Sequence, residues 1–132
     1  MLPLRYARAW QFLGGVGVAI ALVASLWPGG LPLPVPLWDK LEHSSGYALM
    51  TLWFAGLYPR ATLWRVGLAC FLLGVLIELL QGLTPTRTSD PADALANGVG
   101  IAIALGLAYA GLWGWAARVE RLAGVGPSTM RG

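Results

Sequence analysis

Apolar residues fill four long stretches of the chain, and polar residues gather at their ends. The stretches run over residues 9–27, 41–57, 63–83 and 93–113. Each approaches the ~20 residues that a helix needs to cross a bilayer. Helix-breaking Pro28, Pro59 and Pro85 lie between them, so the connections are short. The pattern predicts an all-α fold: an integral membrane four-helix antiparallel bundle in a single domain over residues 1–132, with a tail at 116–132.

Composition supports this prediction and excludes a soluble domain. The chain has 132 residues, of which 57% are hydrophobic and 11% are charged. Its mean hydropathy is +0.65, well above that of soluble domains. The only cysteine, Cys70, lies in an apolar run, so the chain makes no intramolecular disulfide. One histidine and one cysteine also argue against a zinc centre.

Basic residues are divided unequally between the two ends of the predicted bundle. Seven of the nine fall on the side that includes both termini: Arg5, Arg8, Arg60, Arg65, Arg118, Arg121 and Arg131. Lys40 and Arg87 fall on the other side. The positive-inside rule therefore predicts cytoplasmic N and C termini. Topology and attraction to anionic lipids explain the basic side, so we expect membrane lipids as partners and no nucleic acid.

The first apolar stretch also has some features of a signal peptide, because Arg5 and Arg8 precede it. It is longer than the ~7 to 15 apolar residues of such peptides. We predict an uncleaved helix. Cleavage would leave three spans and move the N terminus to the other side.

Two polar pairs lie near helix ends on what is predicted to be the outward side. Asp39 and His43 are four residues apart and share a helix face, with Tyr47 at its edge. The carboxylate can orient the imidazole for acid–base work, or it can simply cap the helix. Glu78 and Gln81 share a face of the third helix, where a carboxylate needs a structural partner or a functional role.

The fourth helix begins with a capping signature. Asp90 is the predicted N-cap, Pro91 suits the first turn, and Asp93 lies near the positive end of the helix dipole. Capping does not explain Asn97, one turn further along the face of Asp93. A stripe of small residues continues this face and predicts close helix packing: Gly100, Ala104, Ala108 and Gly111.

These fragments, taken in order, resemble the VanZ-like family, whose pattern runs D-K-x-x-H with a following aromatic residue, G-x-x-x-E-x-x-Q, an arginine, and D-x-x-x-N-x-x-G. The matching residues are Asp39, Lys40, His43, Tyr47, Gly74, Glu78, Gln81, Arg87, Asp93, Asn97 and Gly100. The namesake of the family lowers susceptibility to teicoplanin. The resemblance implies a bacterial inner-membrane protein, and it assigns no catalytic residues.

Three functions fit these residues. In the first, the protein binds a cell-envelope lipid, a lipid-linked precursor or a glycopeptide through a polar outward pocket. The substrate-binding candidates are Lys40, Arg87, Gln81, Asp90, Asn97 and Tyr47. Lys40 and Arg87 would hold a phosphate, and the remaining groups would fix the head.

In the second, the protein is an enzyme acting on such a lipid. His43 is then the general acid or base, oriented by Asp39, and Glu78 or Asp93 is the second acid–base group. In the third, it is a structural subunit or a cation site, where carboxylates would hold Mg²⁺ or Ca²⁺. No cofactor is predicted, and the pattern leaves the oligomeric state open.

Overall fold

The computed structural model describes residues 1–27, 36–85 and 90–125, and the side chains of residues 36–39 are outside this description. The described residues are mostly helical and contain no strand. The helices are α1 (Ala7–Leu26), α2 (Pro36–Ala55), α3 (Leu63–Gly82), α4 (Pro91–Leu107) and α5 (Trp115–Leu122). A 3₁₀ turn at Arg60–Thr62 leads into α3, and a π-helical turn at Ala108–Leu112 follows α4. The predicted all-α class is confirmed.

Three helical segments of the described residues have the length and apolar composition of a membrane span. They are Ala7–Leu26, Arg60–Gly82 and Pro91–Leu112. The predicted spans at 9–27, 63–83 and 93–113 correspond to these segments. The predicted span at 41–57 corresponds to α2, which lacks the required apolar composition. Its composition is less apolar because its first turns contain three charged residues: Asp39, Lys40 and Glu42.

The helices α2 and α4 run parallel and pack closely. Lys40 near the start of α2 contacts Asp90 at the start of α4. At the other end, the backbone N–H of Gly114 donates to the carbonyl of Ala55 over 3.1 Å. Any side chain at Gly100 would collide with the backbone carbonyl of Ser44, so only glycine permits this approach.

The predicted packing stripe of α4 is confirmed along most of its length. Gly100 is buried, and Ala104 and Ala108 are fully buried. Gly111 departs from the stripe because it is exposed and has a φ of 139°, which ends the regular helix. Glycine adopts such positive φ values without the steric cost that a Cβ would impose.

The basic end of the bundle is closed by aromatic and hydrogen-bonded contacts. Trp10, Trp53 and Trp115 meet edge to face, with ring centroids 5.2 to 5.8 Å apart. Glu120 of α5 accepts hydrogen bonds from the backbone N–H groups of Arg5 at 2.8 Å and Tyr6 at 2.9 Å. The tail therefore holds the two residues that lead into α1, and α5 is part of the packed structure.

Candidate functional site

Four helix ends bring polar side chains together opposite the tryptophan cluster. We call this group the polar cluster, and its members are Lys40, His43, Tyr47, Glu78, Gln81, Asp90, Asp93 and Asn97. The starts of α2 and α4 and the end of α3 meet here because α3 runs antiparallel to the other two helices. The end of α1 joins them, since the side-chain amide of Gln81 donates to the carbonyl of Ser25 at 2.8 Å.

Asp90 caps α4, as the sequence predicts. Its Oδ1 accepts a hydrogen bond of 2.9 Å from the backbone N–H of Ala92, and Pro91 occupies the first turn. Its Oδ2 lies 2.8 Å from Nζ of Lys40. These two contacts, the lysine first, hold the pKa of the Asp90 carboxyl below its usual range.

Lys40 also contacts the second acid of α4. Its Nζ donates to Oδ1 of Asp93, so one ammonium bridges two carboxylates. The exposed fraction of the side chain is 31% for Lys40, 48% for Asp90 and 10% for Asp93. The bridge therefore extends from solvent into the packed interior and ties α2 to α4.

Glu78 lies at the centre of the polar cluster and is 5% exposed. Its Oε2 accepts a long hydrogen bond of 3.4 Å from the backbone N–H of Asp90. Asp93 and His43 are close enough to interact electrostatically with its carboxyl group. Within the described residues, its Oε1 is buried without a hydrogen-bond partner. Among the described residues, only one of its two oxygens is therefore held by a hydrogen bond.

Tyr47 and Asn97 meet beside Glu78 because α3 has a glycine at this level. A Cβ at Gly74 would lie 3.2 Å from Nδ2 of Asn97 and 3.3 Å from the ring of Tyr47. Both side chains are buried, at 6% and 2% exposure. The Tyr47 hydroxyl and the Asn97 Oδ1 also have no hydrogen-bond partner among the described residues. Buried polar atoms are normally satisfied, so these three atoms are candidate contacts for a water or a ligand.

The structure brings together most of the predicted site residues. His43 is half-buried on the same side of α2 as Lys40 and Tyr47, whereas Glu42 is exposed. Arg87 and the side chain of Asp39 lie outside the described residues, so their predicted roles stay predictions. The described residues also contain no group of three or more His, Cys, Asp or Glu side chains arranged to hold a metal ion.

Sequence reasoning gave no structural role to two residues that build the site. Gly74 admits Tyr47 and Asn97, and the carbonyl of Ser25 fixes Gln81. The helical spacing of four residues between Gly74 and Glu78 places both on one face and was an available signal. The Ser25 contact had no such signal, because a backbone carbonyl leaves no trace in the sequence.

Comparison with known proteins identifies the family. A family model described as VanZ/LLP1 matches residues 15–114. The chain belongs to the VanZ/LLP1 family. The matched region includes the whole polar cluster and ends just before α5. Searches of curated proteins and of solved structures each returned no significant match. Membership of the VanZ/LLP1 family and the three apolar segments together show a membrane protein.

Proposed function

We propose that the polar cluster binds the polar head of a cell-envelope lipid or a lipid-linked precursor. The observation that carries this proposal is that three of the four buried polar atoms without described partners belong to the polar cluster: Tyr47 Oη, Glu78 Oε1 and Asn97 Oδ1. An ionisable residue in a membrane helix is costly and usually has a function. A ligand that supplies hydrogen-bond donors to these atoms would remove that cost.

The charges of the cluster favour a head that carries hydroxyl or amine groups. Glu78, Asp90 and Asp93 are acceptors when ionised, and Asn97 and Tyr47 can both accept and donate. Lys40 is already bound to two carboxylates, so a ligand phosphate would have to share it with them. A phosphate contact from Lys40 and Arg87 remains part of the proposal, with Gln81 fixing the position of α1.

The proposal places the polar cluster at the outer face of a bacterial inner membrane. The seven basic residues on the opposite side favour cytoplasmic termini under the positive-inside rule. In this arrangement α2 is the fourth span of a bundle. Its charged first turns would lie at headgroup depth, where the contacts of Lys40 with α4 would compensate the charge of the lysine. A lipid head would then reach Glu78 from the outer leaflet.

A comparison of two glutamine variants tests binding. Wild type, Glu78→Gln and Leu79→Gln are reconstituted in bilayer discs with total bacterial envelope lipid, and the retained lipids are measured by mass spectrometry. Leu79 is the matched control because it is on the same helix and is 63% exposed. We expect Glu78→Gln to lower retention of one lipid about 10- to 100-fold, the effect of losing a charged hydrogen bond. Equal retention by both variants would reject the binding role.

A second candidate function is catalysis on the same lipid, with His43 as acid or base. It is favoured by the electrostatic interaction between His43 and Glu78, which places two titratable groups together. Asp93 is the alternative partner, and Asp39 would orient the imidazole. Conversion of a lipid by wild type and by Ser45→Ala, but not by His43→Ala, would establish catalysis. Conversion by all three proteins, including His43→Ala, would exclude a catalytic role for His43.

The proposed binding would also affect how susceptible a bacterium is to glycopeptide antibiotics. A protein that holds a lipid-linked precursor would shield it from teicoplanin, and this would explain resistance by members of the family. Expression in a sensitive bacterium should raise the inhibitory concentration of teicoplanin, and Glu78→Gln should remove the increase. An increase that Glu78→Gln leaves intact would separate resistance from the polar cluster.

A further inference from the structure

A second candidate site lies toward the basic end of the bundle, away from the polar cluster. It is a cleft of about 540 Å³ between α1, α2 and α3. This volume is within the ~300–1,000 Å³ of typical small-molecule sites. Most of its wall is apolar, and Val18, Met50 and Leu73 line it. Ala69 and Arg65 also line the cleft and are exposed, so the cleft opens at the surface of the protein.

The polar groups of the cleft are concentrated at one end. Tyr58, Thr62 and Arg65 line it near the start of α3, whereas Leu73 lines it two turns further along. From Arg65 to Leu73 the helix rises about 12 Å, close to the ~15 Å hydrocarbon depth of one leaflet. The cleft therefore has the polarity and length of a lipid molecule in a leaflet, with a polar mouth and an apolar interior.

The charge at the mouth indicates which lipid fits. The guanidinium of Arg65 lies 5.2 Å from the centre of the Trp64 ring, and within the described part of the chain it makes no ion pair with a carboxylate. Arginine binds phosphate through two parallel hydrogen bonds. Every phospholipid has a phosphate, but the ammonium of a zwitterionic head cancels its charge, so a net-anionic head is attracted more strongly to Arg65. An apolar cleft alone gives an acyl chain little advantage over the bilayer, because lipid tails are equally apolar. Selectivity must then come from the head.

We infer that this cleft binds one anionic phospholipid, with the phosphate at Arg65 and an acyl chain between α1 and α3. The lipid belongs to the leaflet on the basic side of the protein. It is distinct from the ligand proposed for the polar cluster, which lies at the opposite ends of the same helices. The bound lipid thus fills the cleft and completes the packing of α1 against α3.

The test uses discs made from equal amounts of phosphatidylglycerol and phosphatidylcholine with identical acyl chains. The protein is extracted into mild detergent, and native mass spectrometry counts the lipids that remain bound. Wild type should retain one phosphatidylglycerol in preference to phosphatidylcholine. Arg65→Ala should lower this preference roughly fivefold, the effect expected for one arginine near a charged lipid. Arg121→Ala removes an equal charge from an exposed position on α5 and should leave the preference unchanged.

Two variants that fill the cleft provide an independent check. Ala69→Trp and Val18→Trp act from opposite walls and should each abolish retention of both lipids. Thermal unfolding identifies a variant that fails to fold, and lipid retention is then judged from the other tryptophan variant. The inference would be overturned if Arg65→Ala and Arg121→Ala changed the lipid preference equally. It would also be overturned if a tryptophan variant folded and still retained the lipid fully. Glu78→Gln should leave this lipid in place, so the two lipid sites can fail separately.

Discussion

The Nζ of Lys40 lies 2.8 Å from Oδ2 of Asp90, and it also contacts Oδ1 of Asp93. The start of α2 is thereby fixed to the start of α4. Asp90 in turn donates its backbone N–H to Glu78 on α3. One lysine thus organises three helix ends around the polar cluster.

Removing this lysine should destabilise the protein and the site together. Lys40→Met leaves Asp93, whose side chain is 10% exposed, without its cation. Breaking a fully buried pair costs about 3–5 kcal/mol and losing an exposed pair about 0–1 kcal/mol, so we expect a loss of about 1–2 kcal/mol for the contact with Asp93. Thermal unfolding in micelles measures the loss. The double variant Lys40→Met/Asp93→Asn should recover part of it, and no recovery would show that the pair is not the cause.

The same contact predicts a pH dependence. The Asp90 carboxyl has a pKa below its ordinary value of 3.8. Its contribution to stability is therefore fully present above about pH 4 and is lost as the pH falls through the lower folded-state pKa. The stability difference between wild type and Lys40→Met should shrink over that acid range. A difference that stays constant down to pH 2 would contradict this prediction.

Gly74 should control ligand binding more than stability. The Cβ of Gly74→Ala would press on Asn97 at 3.2 Å and on Tyr47 at 3.3 Å, so both side chains must shift. Gly98→Ala is the matched control, because its Cβ would meet Phe71 at an ordinary 3.7 Å. Lipid retention should fall in Gly74→Ala alone, by roughly tenfold for one lost hydrogen bond. Similar retention in both variants would show that the placement of Tyr47 and Asn97 is unimportant.

Glu120 should stabilise the fold without affecting the polar cluster. Its carboxylate holds Arg5 and Tyr6, which lead into α1, and accepts a hydrogen bond of 3.0 Å from the Trp10 indole. Burial raises its pKa, but these hydrogen bonds outweigh burial and leave the pKa lowered. Glu120→Ala should cost about 1.5–3 kcal/mol in unfolding, the effect of losing a hydrogen bond to a charged group.

Arg121→Ala is the control for Glu120→Ala because it changes the neighbouring exposed residue. The Glu120 contribution should be present above pH 4.5, the ordinary pKa of the group, and should decrease as the pH falls further. Unchanged stability of Glu120→Ala would show that α5 does not hold α1. Loss of lipid retention at the polar cluster would show that the two ends are coupled.

The proposed orientation can be tested with two introduced cysteines. Ala61 and Pro85 are both exposed and lie at opposite ends of α3. An impermeant maleimide added to intact spheroplasts should label Pro85→Cys and should label Ala61→Cys only after lysis. The buried native Cys70 should react little in either case. The reverse pattern would place the polar cluster on the cytoplasmic side.

Hydropathy and capping rules predicted the helices closely, because each depends on neighbouring residues. The boundaries of α3 and the N-cap at Asp90 match the prediction. The apolar run of α2 predicted a helix that starts at residue 41, but the helix begins at Pro36. The difference arises because its first turns are charged and so interrupt the apolar pattern. The clustering of Glu78 with Asn97 was also predicted, since helices of alternating direction bring such ends together.

Contacts between distant parts of the chain were beyond sequence reasoning. The parallel packing of α2 on α4 depends on Gly100 meeting a backbone carbonyl. The contact of Glu120 with the residues that lead into α1 joins positions more than 110 apart. Glu120 leaves no periodic signal, and the small-residue stripe at Gly100 predicted close packing of α4 without identifying α2 as its partner.

Photochemical capture of the bound molecule tests the central claim most directly. A benzophenone-bearing phenylalanine replaces Tyr47, which is buried in the polar cluster, or Leu49, which is 69% exposed. After irradiation in native membranes, mass spectrometry identifies the attached molecules. We predict one defined envelope lipid or precursor at position 47 and the bulk lipid mixture at position 49. Bulk lipid at both positions, or no captured lipid at position 47, would contradict the account.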